Sequence, residues 1–206
     1  ARSLHGRWFL DSITGNPNTK RIVNALRENR LRIVSDGAFK DGHSTAACVL
    51  TDKAQTFRLE IKSIIPGDPN IQDSYHAELG GIYSAIIMVH LIQAVHRLRT
   101  SHIELACDGL QALLNSFHDR PLNPAQSQYD LLTCIRRQLH HSPMTWSPRH
   151  VKGHMKGKHG HTLDWWEERN DEMDTAAKSH RRQSEQQPRP DPSLPLSRYE
   201  GWRVQH

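Results

Sequence analysis

Aromatic residues make up only 6 % of this 206-residue chain, and its mean hydropathy is −0.70, which argues against a membrane protein. The longest stretch without Asp, Glu, Lys or Arg runs from Leu79 to His96 and contains two Gly, two His, a Ser and a Gln. It reads as a buried or amphipathic helix rather than a span. Cysteine is scarce: Cys48, Cys107 and Cys134 are odd in number and lack CxxC or metal-site spacing. A disulfide scaffold is thereby excluded, and a reducing, intracellular compartment is expected. No secretory leader pattern opens the chain. It starts at Ala1 rather than Met, so a segment of a longer polypeptide is expected. No GxGxxG or Walker sequence occurs, which leaves a nucleotide-binding α/β enzyme without support. There is no internal repeat.

What is present in excess is positive charge. Twenty-seven Lys and Arg against 22 Asp and Glu give a net charge of +5, the balance of a domain that meets a polyanion. The excess is concentrated. Ser147 to Thr162 holds Arg149, Lys152, Lys156 and Lys158 with no acid, together with His150, His154, His159 and His161. The histidine spacing fits no compact zinc finger, and no cysteine joins the four.

The chain divides into an extension over residues 1–30, a body over 31–178 and a tail over 179–206. In the extension, Ile22, Val23 and Leu26 mark a short helix packed on the core. The body opens on a strand, Leu31 to Asp36, closed by Gly37; a turn at Lys40 to His43 follows, then strands at Ser44–Thr51 and Thr56–Ile65, an antiparallel meander. From Ser74 to about Val95 the period changes to that of a helix, with Leu79, Ile82, Ile86 and Val89 three or four residues apart. A strand at Ile103–Cys107, helices at Leu110–Phe117 and Tyr129–Leu139, a strand from Met144, the basic loop and a helix from Trp165 to Lys178 complete it. Ser179 to Pro195 contains four prolines and reads as a linker or loose tail, beyond which Tyr199 and Trp202 are expected to dock on the body. The order predicts an α/β fold with a mixed five-stranded sheet, three strands antiparallel and the later ones parallel, flanked by helices.

Four acids stand where packing alone gives little reason for them. Asp36 and Asp108 end strands, each followed by Gly, and the carboxyl ends of strands are where open α/β sheets bind ligands. Glu78 shares a helix face with Ile82 and Ala85, which must pack on the sheet; an unpaired carboxylate there costs several kcal/mol or takes up a proton, and a bound cation removes the difficulty. Asp174 lies beside Ala176 and Ala177 in a helix that can approach the sheet closely. Each has an ordinary explanation too: Asp-Gly as a turn, Glu78 as a helix-start acid, Asp174 as a solvated charge.

Five short pieces occur in order: Ser35-Asp-Gly-Ala-Phe-Lys-Asp-Gly42, Tyr75-His-Ala-Glu-Leu79, Ala106-Cys-Asp-Gly109, His150-Val-Lys-Gly-His154 and Asn170-Asp-Glu-Met-Asp174. Together they resemble the ribonuclease H family, and in wording the ribonuclease H domain of retrotransposon reverse-transcriptase polyproteins. The resemblance spans about residues 31–178.

It implies a metal-dependent endonuclease that hydrolyses the RNA strand of an RNA–DNA hybrid, with an upstream, covalently linked reverse transcriptase and no membrane as partners. Two Mg²⁺ ions, or Mn²⁺, are the expected cofactors, in keeping with hard oxygen ligands. By resemblance, Asp36 bridges both ions, Glu78 and Asp108 complete one on the leaving-group side, and Asp174 holds the one that activates water. His154 takes the place of a mobile histidine near the scissile phosphate. Gly37, Ala38, Lys152, Lys156 and Lys158 are the candidate nucleic-acid contacts. The sequence departs from the family at Ala38, where many members carry a hydroxyl, and lacks a basic cluster between Phe117 and Tyr129. Two other readings compete: a catalytically silent connector or nucleic-acid-binding module of the same fold, and an integrase- or transposase-like nuclease.

Overall fold

A computed structural model describes residues 13–16, 18–155 and 160–186. Lys156, Lys158, His159, Tyr199 and Trp202 lie outside the described residues. Among the described residues six strands and five helices follow in order: β1 (Ile13–Asn16), α1 (Thr19–Arg27), β2 (Arg32–Lys40), β3 (His43–Thr51), β4 (Arg58–Ile64), α2 (Ser74–His96), β5 (His102–Cys107), α3 (Leu110–Phe117), α4 (Tyr129–His140), β6 (Thr145–His150) and α5 (Trp165–Ser184). They form one sheet in the order β1-β4-β3-β2-β5-β6, with β2–β3–β4 and β1 antiparallel and β2–β5–β6 parallel.

The sheet has one strand more than the five expected. Residues 13–16 of the extension pair with Arg58–Ile61 of β4, covering an edge that would otherwise present unpaired backbone groups. Only four residues long, with Gly15 among them, β1 carries no alternating apolar pattern by which sequence could reveal it. α1 behaves as expected: Asn18 caps it, and Ile22, Val23 and Leu26 are buried.

Two further expectations are corrected. Gly37 does not close the first strand. Pairing with β3 runs on to Lys40–His43, where the left-handed pair Asp41–Gly42 makes a two-residue hairpin turn. Asp36 is therefore interior to β2. At the other end of the body, α5 continues six residues past Lys178, so residues 179–184 are helix rather than tail. The extra turns are docked: Thr45 Oγ1 donates to the Ala177 carbonyl (2.9 Å), and His43 Nε2 meets Ser184 Oγ (2.9 Å) in a buried contact.

Helices cover both faces. On one, α2 packs Leu79, Ile82, Ile86 and Val89, all fully buried, against Ile33, Leu50 and Leu105, with α1, α3 and α4 beside it. Each such side chain contributes about 1.5–3 kcal/mol of burial. α2 alone is long and apolar enough to cross a membrane among the described helices, but over half of its most apolar stretch is buried inside the fold. On the other face α5 lays Trp166, Met173 and Ala177 on Val34, Ala47, Val49 and Ala106.

Candidate active site

The site follows from the two-residue period of β2. Ile33 belongs to the core under α2, whereas Val34 and Ala38 belong to the core under α5. By that alternation Asp36 is on the α5 side and Gly37 on the α2 side. Val34 is paired in register with Ala106 of β5, so Asp36 and Asp108, each two residues further on, sit level with one another beside the parallel pair.

α2 then brings Glu78 down over Gly37. A Cβ at position 37 would lie 2.5 Å from the Glu78 nitrogen and 2.6 Å from the Ala77 carbonyl carbon. Glycine is required here by the approach of another backbone rather than by a turn. From the opposite face α5 supplies Asp174, and the segment after β6 supplies His154, which adopts a left-handed backbone (φ 54°) and is exposed. One cleft of about 410 Å³ is lined by Asp36, Glu78, Asp108, His154 and Asp174, with Gly37 and Ala38 in its wall. Of the remaining expected contacts, Lys152 is exposed and is not part of that lining.

The crowding has an electrostatic cost. Burial, followed by the charges of Glu78, Asp108 and Asp174, pushes the Asp36 carboxyl far above the ordinary carboxylate range. Glu78 is raised by burial and by Asp108, although hydrogen bonds from Cys107, Asp36 and the Gly37 backbone partly offset this. Asp108 is raised by burial, against the opposing effects of His154 and of a hydrogen bond from Asn170. Gly37 N–H donates to Asp36 Oδ1 (2.6 Å) and the Cys107 thiol donates to Glu78 Oε2 (2.9 Å). Asp174 is paired with Lys178, Nζ to Oδ1 2.7 Å.

Such a group, mutually repelling and aimed into one cleft, suits a divalent cation with oxygen ligands. The surroundings agree. A Cβ on Gly153 would stand 2.3 Å from Asp108 Oδ2, so this loop leaves the carboxylate just enough room. Asn170 is buried, hydrogen-bonds Asp108, and its own Oδ1 has no hydrogen-bond partner. Glu78, Cys107 and Asp108 place their ligand atoms within 4.8 Å of one another, and no other such cluster occurs among the described residues. Of the four loop histidines, His161 instead meets Glu167 (2.7 Å) and His150 borders an apolar groove beside α3.

Sequence reading passed over Cys107, Asn170 and Lys178. The thiol and the amide are ordinary core residues by composition, and only the packing of α2 and α5 turns them toward the acids. Lys178 carried a signal, four residues after Asp174 on a helix. Because Asn170 orients Asp108, Asn170→Ala is expected to weaken divalent-cation binding by about 10- to 100-fold, read by calorimetric titration of the full chain.

No protein-family model and no curated protein matches the chain. Solved structures do. Ribonuclease H1 from the halophilic archaeon Halobacterium salinarum NRC-1 superposes with a TM-score of 0.51 at 18 % identity, over 73 % of this chain and 98 % of that one. LC11-RNase H1, solved in complex with an RNA/DNA hybrid, gives 0.54 at 12 % identity, over 75 % and 99 %. A second structure of that protein, isolated from compost by a metagenomic approach, gives 0.52 over 76 % and 98 %. This chain has the ribonuclease H fold. Both RNase H1 proteins are covered almost end to end, by about three quarters of this chain, and at these identities the likeness is one of fold. Within that fold the four acids come from β2, α2, the end of β5 and α5.

Proposed function

We propose that the protein is a metal-dependent ribonuclease H that cleaves the RNA strand of RNA–DNA hybrids. The convergence of Asp36, Glu78, Asp108 and Asp174 on one cleft carries this reading, and the fold shared with RNase H1 proteins supports it. Asp36, Glu78, Asp108 and Asp174 would hold two Mg²⁺ ions, for which Mn²⁺ can substitute. Bound there, the metal supplies Lewis-acid stabilisation of the charge that develops in phosphodiester hydrolysis. The protein's own groups do the rest. Asn170 and Cys107 fix the orientation of Asp108 and Glu78. His154, exposed at the rim, is placed to move a proton at the scissile phosphate. Gly37 and Ala38 offer backbone at the cleft wall, and the 2′-hydroxyls of the RNA distinguish it from DNA. The basic segment with Lys152, Lys156 and Lys158 would meet phosphates.

The wording of the five motifs supports a finer placement, as the ribonuclease H part of a retroelement polyprotein with a linked reverse transcriptase upstream. An intracellular, reducing setting belongs to the same proposal, in keeping with three buried cysteines that form no disulfide.

The test is cleavage of a labelled hybrid by the full chain with Mg²⁺ or Mn²⁺, beside Asp108→Asn. Metal-dependent cutting of the RNA alone, lost in the variant, is expected. Intact RNA with salt-sensitive binding would mean a silent module. Cutting of duplex DNA would mean a transposase-like nuclease.

A further inference from the structure

The last two turns of α5 are unusual in charge and in anchorage. Lys178, Arg181 and Arg182 follow Asp174 at four, seven and eight residues, the spacing of one helical stripe. With Lys40 of the β2–β3 hairpin they line the same cleft as the carboxylates. Two of these cations are already engaged: Lys178 with Asp174, and Arg181 with Glu185. Arg182 is exposed and makes no ion pair among the described residues. Lys40 is 63 % exposed, and its contact with Asp41 is loose at 4.0 Å.

Helix ends commonly fray, but this one is held. Thr45 ties the Ala177 carbonyl, and His43 ties the fully buried Ser184, so the hairpin that carries Lys40 also fixes the turn that carries Arg182. Two exposed cations carried on anchored backbone at the rim of an acidic cleft are positioned to meet a polyanion that enters it.

We propose that Lys40 and Arg182 form a second phosphate-binding flank, on the side of the carboxylates opposite the basic segment around Lys152. The flank rests on the hybrid-cleavage reading and deepens it by assigning the side on which the duplex backbone leaves the site. Eight helical residues rise about 12 Å, a span of a few nucleotides of a duplex strand. Arg182 therefore meets a phosphate a few nucleotides away from the scissile one.

The experiment uses the full chain carrying Asp36→Asn, so that the hybrid is bound and not consumed. Binding is measured across a salt series with and without Lys40→Ala and Arg182→Ala. Each substitution is expected to lower the slope of log K against log salt by about one, and the pair to weaken binding by about tenfold at 0.1 M salt. Arg182→Lys should restore most of the loss, which a merely structural role would not predict. Neutral methylphosphonates are then scanned along each strand. At one position a few steps from the cut, the linkage should weaken the Arg182-bearing protein and leave Arg182→Ala no weaker. An unchanged slope in both variants, or a loss without positional dependence, overturns the flank. Cleavage by the chain with native Asp36 is followed in parallel. Where it cuts the RNA, such a failure counts against the flank alone; where neither cutting nor hybrid binding occurs, the hybrid-cleavage reading fails with it.

Discussion

Asp36→Asn is expected to abolish RNA cleavage and, at the same time, to make the metal-free protein more stable at pH 8. The carboxyl is buried and surrounded by Glu78, Asp108 and Asp174, so the fold holds it in its protonated form. An unfolded aspartate ionises near pH 4. Below that pH the folded state's preference for the proton is fully available as stability. It is progressively lost as pH rises toward the folded group's own, much higher, titration. Glu78 and Asp108 are displaced in the same direction, so the metal-free protein should weaken steadily from about pH 4 to pH 8. Asparagine removes the largest contributor while keeping the local bonds: its carbonyl can accept from the Gly37 N–H as Asp36 Oδ1 does, and its amide can donate to Glu78. A gain of about 2 kcal/mol, or roughly 4–8 °C in melting temperature for a chain of this size, is expected at pH 8, shrinking toward zero near pH 4. Differential scanning calorimetry at several pH values, without metal and then with Mg²⁺, checks it. Added Mg²⁺ should raise the melting temperature of the native sequence much more than that of the variant. A variant less stable at every pH would refute the account.

Gly37→Ala should have the largest effect of any single methyl. The new carbon would meet backbone atoms of Ala77 and Glu78 at 2.5–2.6 Å, and its third neighbour is the Ala77 Cβ at 2.8 Å. No flexible side chain can yield. α2 must lift, and α2 carries both the buried row Leu79, Ile82, Ile86 and Val89 and Glu78. A stability loss of about 3 kcal/mol is expected in urea unfolding. Cleavage should fall more than 100-fold even at temperatures where the variant is folded, because a displacement of about 1 Å at reacting groups has that order of effect. Activity that survives at native level in a destabilised protein would show that Glu78 is not needed where the structure places it.

These two positions also show how the fold and the site differ in legibility. The strand-like runs of β3 and β4 and the three-four period of Leu79, Ile82, Ile86 and Val89 are strong local signals, and the elements they imply are present within a few residues. The Asp41–Gly42 turn was readable as well. What was misread beside it was Gly37, since a glycine after an aspartate looks the same whether it turns the chain or lets a helix backbone pass within van der Waals contact. β1 is too short to have a pattern, and the last turns of α5 are polar because they face a cleft. Of the site, the four acids and His154 were visible as outliers in their local context. Asn170 and Cys107 were not, since each is defined by a partner, Asp108 or Glu78, that lies tens of residues away in sequence.

The acids at positions 36, 78, 108 and 174 come from four separate elements, and α5 delivers the last of them after every strand of the sheet has been made. Nothing resembling the cleft exists in a portion of the chain that stops short of α5. During synthesis the first three acids must wait, protonated or solvated, until residues beyond 174 have been made and packed. Contacts of such long sequence separation form late and slowly. The cleft is thus tied to completion of α5: a chain that ends before Asp174 has three of the four acids and no site, so the proposed cleavage would be absent from it.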